Sequence, residues 1–284
     1  MSLLQQNLAA GRFVVTAEVA PPKGVDLAPV LAVAEKLQGV TAVNVTDNQG
    51  ANMRMCALVL AGELKRRGLE PVLQLTCRDR NRVALQSDLL GAAALGIENL
   101  LLLSGDHSKF GDHPDARPVF DLDAVQLLDV VAGLCRGLDM AGKPLAGAPV
   151  FFPGAAVNPA AEPFDLVLQK VCKKVESGAR FFQTQAVFTR CELERLMDSI
   201  APLQVPVMAG ILLVRSAKMA RFLNGNIPGM CVPDEVVARL DSATDPLREG
   251  VAIAREAVGW ARELCQGVHL MTLGHEDKIP EILR

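Results

Sequence analysis

The amino-acid sequence predicts an α/β fold, a (β/α)8 TIM barrel in which residues 1–284 form a single domain. Eight short segments with strand character recur along the chain, and sequence with helical character follows them. No linker, low-complexity tract or charge run divides the chain. A doubly wound open sheet is the alternative. Such a sheet usually has fewer strands, and residues 20–24 do not form the glycine-rich phosphate turn that often follows its first strand.

Strands are expected where short β-branched or apolar runs lie between glycine, proline and polar turn residues. They are residues 13–19, 41–46, 71–76, 99–103, 149–152, 180–185, 206–211 and 267–272. Helices are expected where apolar residues recur at helical spacing, in several cases up to a closing glycine. They are residues 26–37, 53–67, 80–95, 122–135, 164–177 and 191–200, with two or three short helices within 216–264.

The fourth strand lies in the segment Asn99-Leu-Leu-Leu-Leu-Ser-Gly-Asp106, whose leucines indicate a strand buried on both faces. Asp106 follows at its carboxyl end, where parallel barrels carry their chemistry. The alternative is that this aspartate only caps the next turn. The loop of residues 106–118 is too long for a simple connection and is therefore a candidate for function.

Composition and charge argue against several classes of partner. With a net charge of −3, the chain gives no reason to expect nucleic acid or an anionic membrane, and no apolar run approaches a membrane span. Seven cysteines without a Cys-x-x-Cys pair indicate reduced thiols, and the first residues lack the pattern of a signal peptide. We therefore expect a cytoplasmic protein.

Polar residues at the carboxyl ends of the strands would share one barrel mouth. They are Glu18, Thr46, Gln74, Thr76, Asp106, Asn158, Gln185 and Thr272. This set lacks a Schiff-base lysine and a cysteine nucleophile, and a chain with one tryptophan and no tyrosine is poorly suited to glycosidase chemistry between Glu18 and Asp106. His107 and His113 are expected to order their own loop, and we expect no metal site. The remaining acids and amides favour a redox cofactor.

Seven short stretches, in order along the chain, match those of a known family. They are Thr16-Ala-Glu-Val-Ala-Pro-Pro22, Leu75-Thr-Cys77, Ser104-Gly-Asp106, Gly154-Ala-Ala-Val-Asn-Pro159, Lys173-Lys-Val-Glu-Ser-Gly-Ala179, Gln183-Thr-Gln185 and Ala209-Gly-Ile-Leu212. Through them the chain resembles the methylenetetrahydrofolate reductase family, in its short bacterial type, over nearly its whole length. The resemblance implies an oxidoreductase of one-carbon metabolism that uses FAD to reduce 5,10-methylenetetrahydrofolate to 5-methyltetrahydrofolate, or that catalyses the reverse oxidation.

The resemblance also implies roles for individual residues. Glu18 would be the general acid that protonates a folate nitrogen and opens the ring to an iminium. Asp106 would be the second catalytic residue, near the flavin pyrimidine ring. The implied substrate-binding residues are Gln185, Thr184 and Leu223. The implied cofactor-binding residues are Thr46, Ser104, Gly105, Asp106, Ala156, Asn158 and Lys174.

The sequence departs from the enterobacterial members of that family on the face where folate and a pyridine nucleotide would stack in turn. Asp47 and Gly154 stand where those members have aromatic residues, and their phenylalanine falls on Leu223 or beside it, at Phe222. FAD remains the expected cofactor, but direct binding of NADH is less expected. Folate is the expected substrate, and the electron donor is expected to be NAD(P)H or a partner redox subunit, within an oligomer or larger complex.

Two other functions stay open at this point. One is a flavin-bearing electron-transfer subunit that works only inside a larger complex, as related short-type proteins of anaerobes receive electrons through partner subunits. The other is a flavin-free folate-binding barrel that transfers methyl groups to a corrinoid. The absorbance spectrum of the protein distinguishes them, because a flavin-bearing subunit is coloured and a flavin-free methyltransferase is colourless.

Overall fold

A closed barrel of eight parallel strands forms the centre of the protein, in which each strand pairs with the next and the last pairs with the first. The computed structural model describes residues 1–37, 39–227 and 229–284. The strands are β1 (Val14–Val19), β2 (Ala42–Val45), β3 (Pro71–Thr76), β4 (Asn99–Leu103), β5 (Phe152–Val157), β6 (Phe181–Ala186), β7 (Val207–Leu212) and β8 (Gly267–Met271). The predicted (β/α)8 barrel is confirmed.

Helices lie between successive strands along the chain, while the first helix precedes β1 and the last follows β8. They are α1 (Leu3–Ala9), α2 (Ala28–Ala34), α3 (Ala57–Arg66), α4 (Arg82–Ala94), α5 (Ala124–Cys135), α6 (Phe164–Glu176), α7 (Arg190–Ile200), α8 (Ala217–Asn226), α9 (Asp234–Ser242), α10 (Pro246–Leu264) and α11 (Ile279–Ile282). The prediction of short helices within 216–264 was wrong in one respect, because α10 has 19 residues. Neither α1 nor α11 was predicted.

The start of α5 shows how local sequence fixes these boundaries. Asp123 accepts a hydrogen bond from the backbone N–H of Gln126, and the Gln126 side chain accepts one from the backbone N–H of Asp123. This capping box satisfies backbone donors that a helix leaves free in its first turn. The predicted start at residue 122 was therefore two residues early.

The fifth strand was predicted at residues 149–152, and this prediction was wrong. The strand runs from Phe152 to Val157, so most of residues 154–159, which were expected to form the loop after this strand, belong to the strand itself. Gly154 belongs there because the ring of Phe181 fills its side-chain space: a Cβ atom at this position would lie 2.2 Å from the ring. Phe152 stacks on the same ring with centroids 5.1 Å apart. Pro153 and Gly154, which are typical of a turn, are therefore strand residues here, and the glycine makes room for the Phe181 ring.

The amino end of the barrel is filled with apolar side chains. Leu4 and Leu8 of α1 pack there against interior residues of seven strands. Those residues are Val14, Ala42, Val72, Leu101, Phe152, Phe181 and Met208. Because side chains alternate along a strand, residues two and four positions after these also face the interior, progressively closer to the carboxyl end. This alternation determines which side chains face the interior at the carboxyl end of the barrel, its mouth.

Candidate functional site

Glu18 faces the barrel interior at the carboxyl end of β1, four residues after Val14, and is only 9% exposed. Gln49, in the loop after β2, donates a hydrogen bond from Nε2 to Glu18 Oε1 at 3.1 Å. On the other side, Nε2 of His269 on β8 lies 3.6 Å from Glu18 Oε2. Gln49 thus fixes one carboxyl oxygen by a hydrogen bond, and an imidazole nitrogen lies beside the other.

His269 connects Glu18 to a buried polar layer across the middle of the barrel. Its Nδ1 lies 2.9 Å from Thr16 Oγ1, and Gln183 Nε2 donates to the same Thr16 oxygen at 3.2 Å. Gln183 Oε1 in turn accepts from Asn44 Nδ2 at 2.8 Å. These groups are nearly inaccessible to solvent, so their hydrogen bonds compensate the cost of burying them.

Thr46 lies immediately after β2 and, by the same parity, faces the mouth. It is 1% exposed, and in the part of the chain that the structure describes its Oγ1 has no hydrogen-bond partner. A buried hydroxyl group without a partner is costly in a folded protein. It is therefore a position where a bound ligand would complete the hydrogen bonding.

Asp47, at the position of the expected aromatic residue, forms a buried ion pair. Its carboxylate accepts from the backbone N–H and the hydroxyl of Thr76, both at 2.8 Å, and from Arg80 at 2.8 and 3.1 Å. Burial alone would lower the pKa of Arg80, but its hydrogen bonds and charge interactions with Asp47 and Asp88 outweigh this and raise the pKa. The loops after β2 and β3 are thus joined beside Thr46.

Asp106 and the two residues before it lie at the carboxyl end of β4. Asp106 has an exposed side chain, and its backbone oxygen accepts from Arg78 Nη1 at 3.2 Å. Gly105 has a φ of +91°, and a Cβ there would lie 3.1 Å from side-chain atoms of both Arg78 and Thr76. Ser104 is exposed and its Oγ accepts a 3.3 Å hydrogen bond from the backbone of α5. Only glycine suits this turn without strain.

Lys174 of α6 reaches the end of β5, where its Nζ donates to Ala156 O at 2.6 Å. Burial of the ammonium group, with a smaller contribution from Lys170, lowers the pKa of Lys174. Asn158 lies just beyond β5, and its Nδ2 donates to Gly229 O at 3.2 Å. The structure therefore brings a cation and an amide to the same end of the barrel as Thr46.

The three residues implied in substrate binding occupy different environments. Gln185 is exposed at the end of β6. The Thr184 hydroxyl is engaged with backbone: it donates to Gln185 O at 2.6 Å and accepts from Gly210 N at 2.8 Å, at the irregular pairing of β6 with β7. Leu223 is 8% exposed within a hydrophobic cluster, whereas the neighbouring Phe222 is 58% exposed.

The long loop after β4 packs against the loop after β2. Gly111 lies so close to Ala51 that a Cβ would be 1.8 Å from the Ala51 oxygen. Asp112 accepts from the backbone N–H of Met53 at 2.9 Å and pairs with Lys23. His113 Nδ1 lies 2.8 Å from Asp112 Oδ1, which agrees with the expectation that this loop orders itself. In the described residues, no three His, Cys, Asp or Glu side chains are grouped to hold a metal ion.

Sequence reasoning missed His269 and Gln49. It took the last polar residue of each strand, and for β8 that was Thr272, which lies one position beyond the strand. Strand parity was the available signal: His269 lies two residues after Gly267, which pairs with Val14, and so faces the interior. Gln49 belongs to an irregular loop whose path no sequence pattern indicates.

The family model described as "Methylenetetrahydrofolate reductase" matches residues 3–284. The chain belongs to the methylenetetrahydrofolate reductase family. A Caenorhabditis elegans protein named "Probable methylenetetrahydrofolate reductase (NADPH)" is 22% identical over 287 residues. That match covers 94% of this chain and 41% of the relative, so the chain spans about two fifths of the relative's length.

Solved structures with low sequence identity share the architecture. Tryptophan synthase from M. tuberculosis has a TM-score of 0.53 at 14% identity, with 99% of this chain and 94% of that chain covered. Oxaloacetate acetylhydrolase has a TM-score of 0.56 at 10% identity, with 96% and 80% covered. These likenesses concern the fold alone. Across residues 1–37, 39–227 and 229–284, no helix has the length and apolarity that crossing a membrane requires.

Proposed function

We propose that the chain is a flavin-dependent enzyme that reduces 5,10-methylenetetrahydrofolate to 5-methyltetrahydrofolate, or oxidises the latter. Family membership supports the reaction class. The observation that carries the proposal is Glu18, a nearly buried carboxyl group at the barrel mouth, held by Gln49 and approached by His269. A proton donor with a fixed orientation at this end of the barrel suits general acid catalysis.

The chemistry of the mouth fits FAD as the cofactor. The Thr46 hydroxyl oxygen is buried without a partner in the described chain, so a ligand atom can satisfy it. Lys174 offers a cation for a phosphate group, and Asn158 offers amide hydrogen-bonding groups. The residues that would hold the cofactor are Thr46, Ser104, Gly105, Asp106, Ala156, Asn158 and Lys174. FAD, when bound, supplies the hydride.

The protein's own contribution begins with proton transfer. Glu18 donates its proton to a folate nitrogen, the carbon–nitrogen bond at that atom breaks, and the opened ring carries an iminium cation. The Asp106 side chain carries a negative charge at the same end of the barrel, which favours that cation. Gln185 binds the pterin through its exposed amide. Thr184, whose hydroxyl accepts from Gly210 N, and Leu223, buried in a hydrophobic cluster, complete the proposed substrate-binding residues.

The substitution Glu18→Gln tests the assignment, because it keeps the size of the side chain but cannot deliver a proton. We expect folate reduction and methyltetrahydrofolate oxidation to fall by about 100- to 10,000-fold, while flavin remains bound and reducible. The measurement is steady-state turnover together with the absorbance of bound flavin. Glu235→Gln, at an exposed glutamate of α9, is the matched control and should turn over at the unsubstituted rate.

Two results would contradict the proposal. A loss below about tenfold in Glu18→Gln, with chemistry shown to be rate-limiting, would remove Glu18 from the acid role. A colourless protein that fails to take up FAD but binds a corrinoid would favour the methyltransferase function instead.

Heat-released flavin from the purified protein should be FAD and not FMN.

The electron donor proposed for this enzyme is NAD(P)H or a partner redox subunit, in an oligomer or a larger complex. The C. elegans relative carries NADPH in its name.

We also propose a cytoplasmic location, which is supported by the seven cysteines, all of which are free thiols. Burial raises the pKa of Cys77 and Cys265 to about 12, so these two thiols are inert.

A further inference from the structure

The two amides in the buried polar layer beneath Glu18 contact each other twice, because Gln183 Nε2 also lies 3.3 Å from Asn44 Oδ1. Asn44 donates to Gln183, and Gln183 Nε2 donates to Thr16 Oγ1 at 3.2 Å. Thr16 Oγ1 therefore accepts from the amide and has its own proton available to donate. The nearer acceptor is His269 Nδ1 at 2.9 Å, while the carbonyl oxygen of Val268 is 3.5 Å away.

The distances from Thr16 Oγ1 favour one tautomer of His269. When the Thr16 hydroxyl donates to Nδ1, the nearer acceptor, the proton of the neutral imidazole is on Nε2. That nitrogen faces Glu18 Oε2 at 3.6 Å. The separation exceeds a hydrogen bond, but catalytic contacts that are long without substrate often shorten when substrate binds. An N–H donor on this side complements the amide of Gln49 on the other.

We propose that His269 is a positioning residue for Glu18: its Nε2–H holds the carboxyl group toward the substrate and stabilises the carboxylate that remains after proton transfer. The inference rests on the proposed role of Glu18 as the general acid. His269 is 4% exposed and lies below Glu18, so it acts on the reaction through that carboxyl group. Thr16 and Gln183 contribute to this role, because their hydrogen bonds keep the imidazole proton on Nε2, the nitrogen that faces Glu18.

The kinetic test compares His269→Leu with His269→Gln. Leucine removes the donor, and we expect kcat to fall about 10- to 100-fold, as for the loss of a hydrogen bond to a charged group, with KM for folate changed less than about twofold. Glutamine can place an amide N–H near the position of Nε2 and should recover most of the rate. Leu270→Met, on the opposite face of β8, is the control and should leave kcat unchanged.

The Glu18→Gln background separates this inference from the proposed function. If His269 acts through Glu18, His269→Leu should lower the rate of Glu18→Gln by less than about twofold. A full additional loss there, or equal losses of kcat in His269→Leu and His269→Gln, would overturn the positioning role. If Glu18→Gln alone left turnover intact, the proposed acid role would fail.

A spectroscopic readout tests the proton arrangement without any turnover. The chain contains four histidines, so nitrogen-15 NMR of histidine-labelled protein gives few signals, and His269→Gln identifies the one of interest. We expect His269 to carry its proton on Nε2, and Thr16→Val to introduce the other tautomer. A neutral His269 protonated on Nδ1 would overturn the inference whatever the kinetics, because a bare Nε2 cannot donate to Glu18.

Discussion

Thr46 and Thr76 lie at the carboxyl ends of two neighbouring strands, but their hydroxyl groups differ in hydrogen bonding. The hydroxyl of Thr76 donates to Asp47 and so contributes to folding. The hydroxyl of Thr46 is buried without a partner in the described chain, which costs stability. This difference between the two hydroxyl groups supports the proposed contact of Thr46 with a cofactor.

Thr46→Val should therefore weaken cofactor binding without destabilising the ligand-free protein. One neutral hydrogen bond accounts for about a 3- to 10-fold rise in the dissociation constant of FAD, while the unfolding free energy of the FAD-free protein stays level or rises. Flavin fluorescence titration and urea unfolding measure the two quantities. Thr76→Val is the matched control and should show the reverse, a loss of about 1 kcal/mol of stability. An unchanged FAD affinity in Thr46→Val would contradict this account.

At the scale of elements, the loops that follow β2 and β3 depend on one buried ion pair. The side chains of Asp47 and Arg80 are 1% and 15% exposed, whereas those of Asp241 and Arg221, paired on the surface, are each 59% exposed. Exposed pairs contribute little because water screens them, but breaking a buried pair leaves an uncompensated charge. In this chain, Asp47 thus joins the loop after β2 to the loop after β3 through Thr76 and Arg80.

Asp47→Asn should reveal the difference. The asparagine can still bond Thr76, and Arg80 keeps Asp88, so we expect a loss of about 2 kcal/mol, below the usual range for a broken buried pair. Asp241→Asn, which breaks the exposed pair, should cost less than about 0.5 kcal/mol. Chemical denaturation of both variants measures these values. Equal effects would show that the buried pair does not fix the loops.

The barrel as a whole could be predicted from sequence because each strand carries its own local signal between turn residues. β5 was misplaced because Pro153 and Gly154 are residues typical of a turn, whereas Gly154 pairs within the sheet and leaves room for the ring of Phe181 on the next strand. The mouth residues followed from their positions at strand ends, but His269 and Gln49 reach Glu18 through barrel closure and an irregular loop. Local sequence specifies elements, while contacts between distant segments specify the site.

The side chains available to hold a nicotinamide lead to a prediction about the electron donor. Direct hydride transfer needs the nicotinamide held against the flavin at about 3 to 3.5 Å, in a geometry that a fixed wall maintains. Leu223 is an aliphatic side chain buried in its own cluster, and Phe222 is 58% exposed, so neither is an aromatic side chain packed in a fixed position. In the proposed function, by contrast, the folate would contact Gln185, which is exposed, and Glu18, which Gln49 holds by a hydrogen bond.

We therefore expect slow or undetectable reduction of the bound flavin by NADH or NADPH alone, together with ready reduction by methyltetrahydrofolate. Stopped-flow absorbance of the FAD-loaded protein, mixed separately with each donor, measures both rates. Phe222→Ala tests the remaining aromatic side chain near this surface: if Phe222 moves over the flavin to hold a nicotinamide, the substitution will lower reduction by the pyridine nucleotide and spare the folate reaction. Flavin bleached by micromolar NADH or NADPH at the rate of turnover would contradict the prediction, because no partner subunit would then be needed.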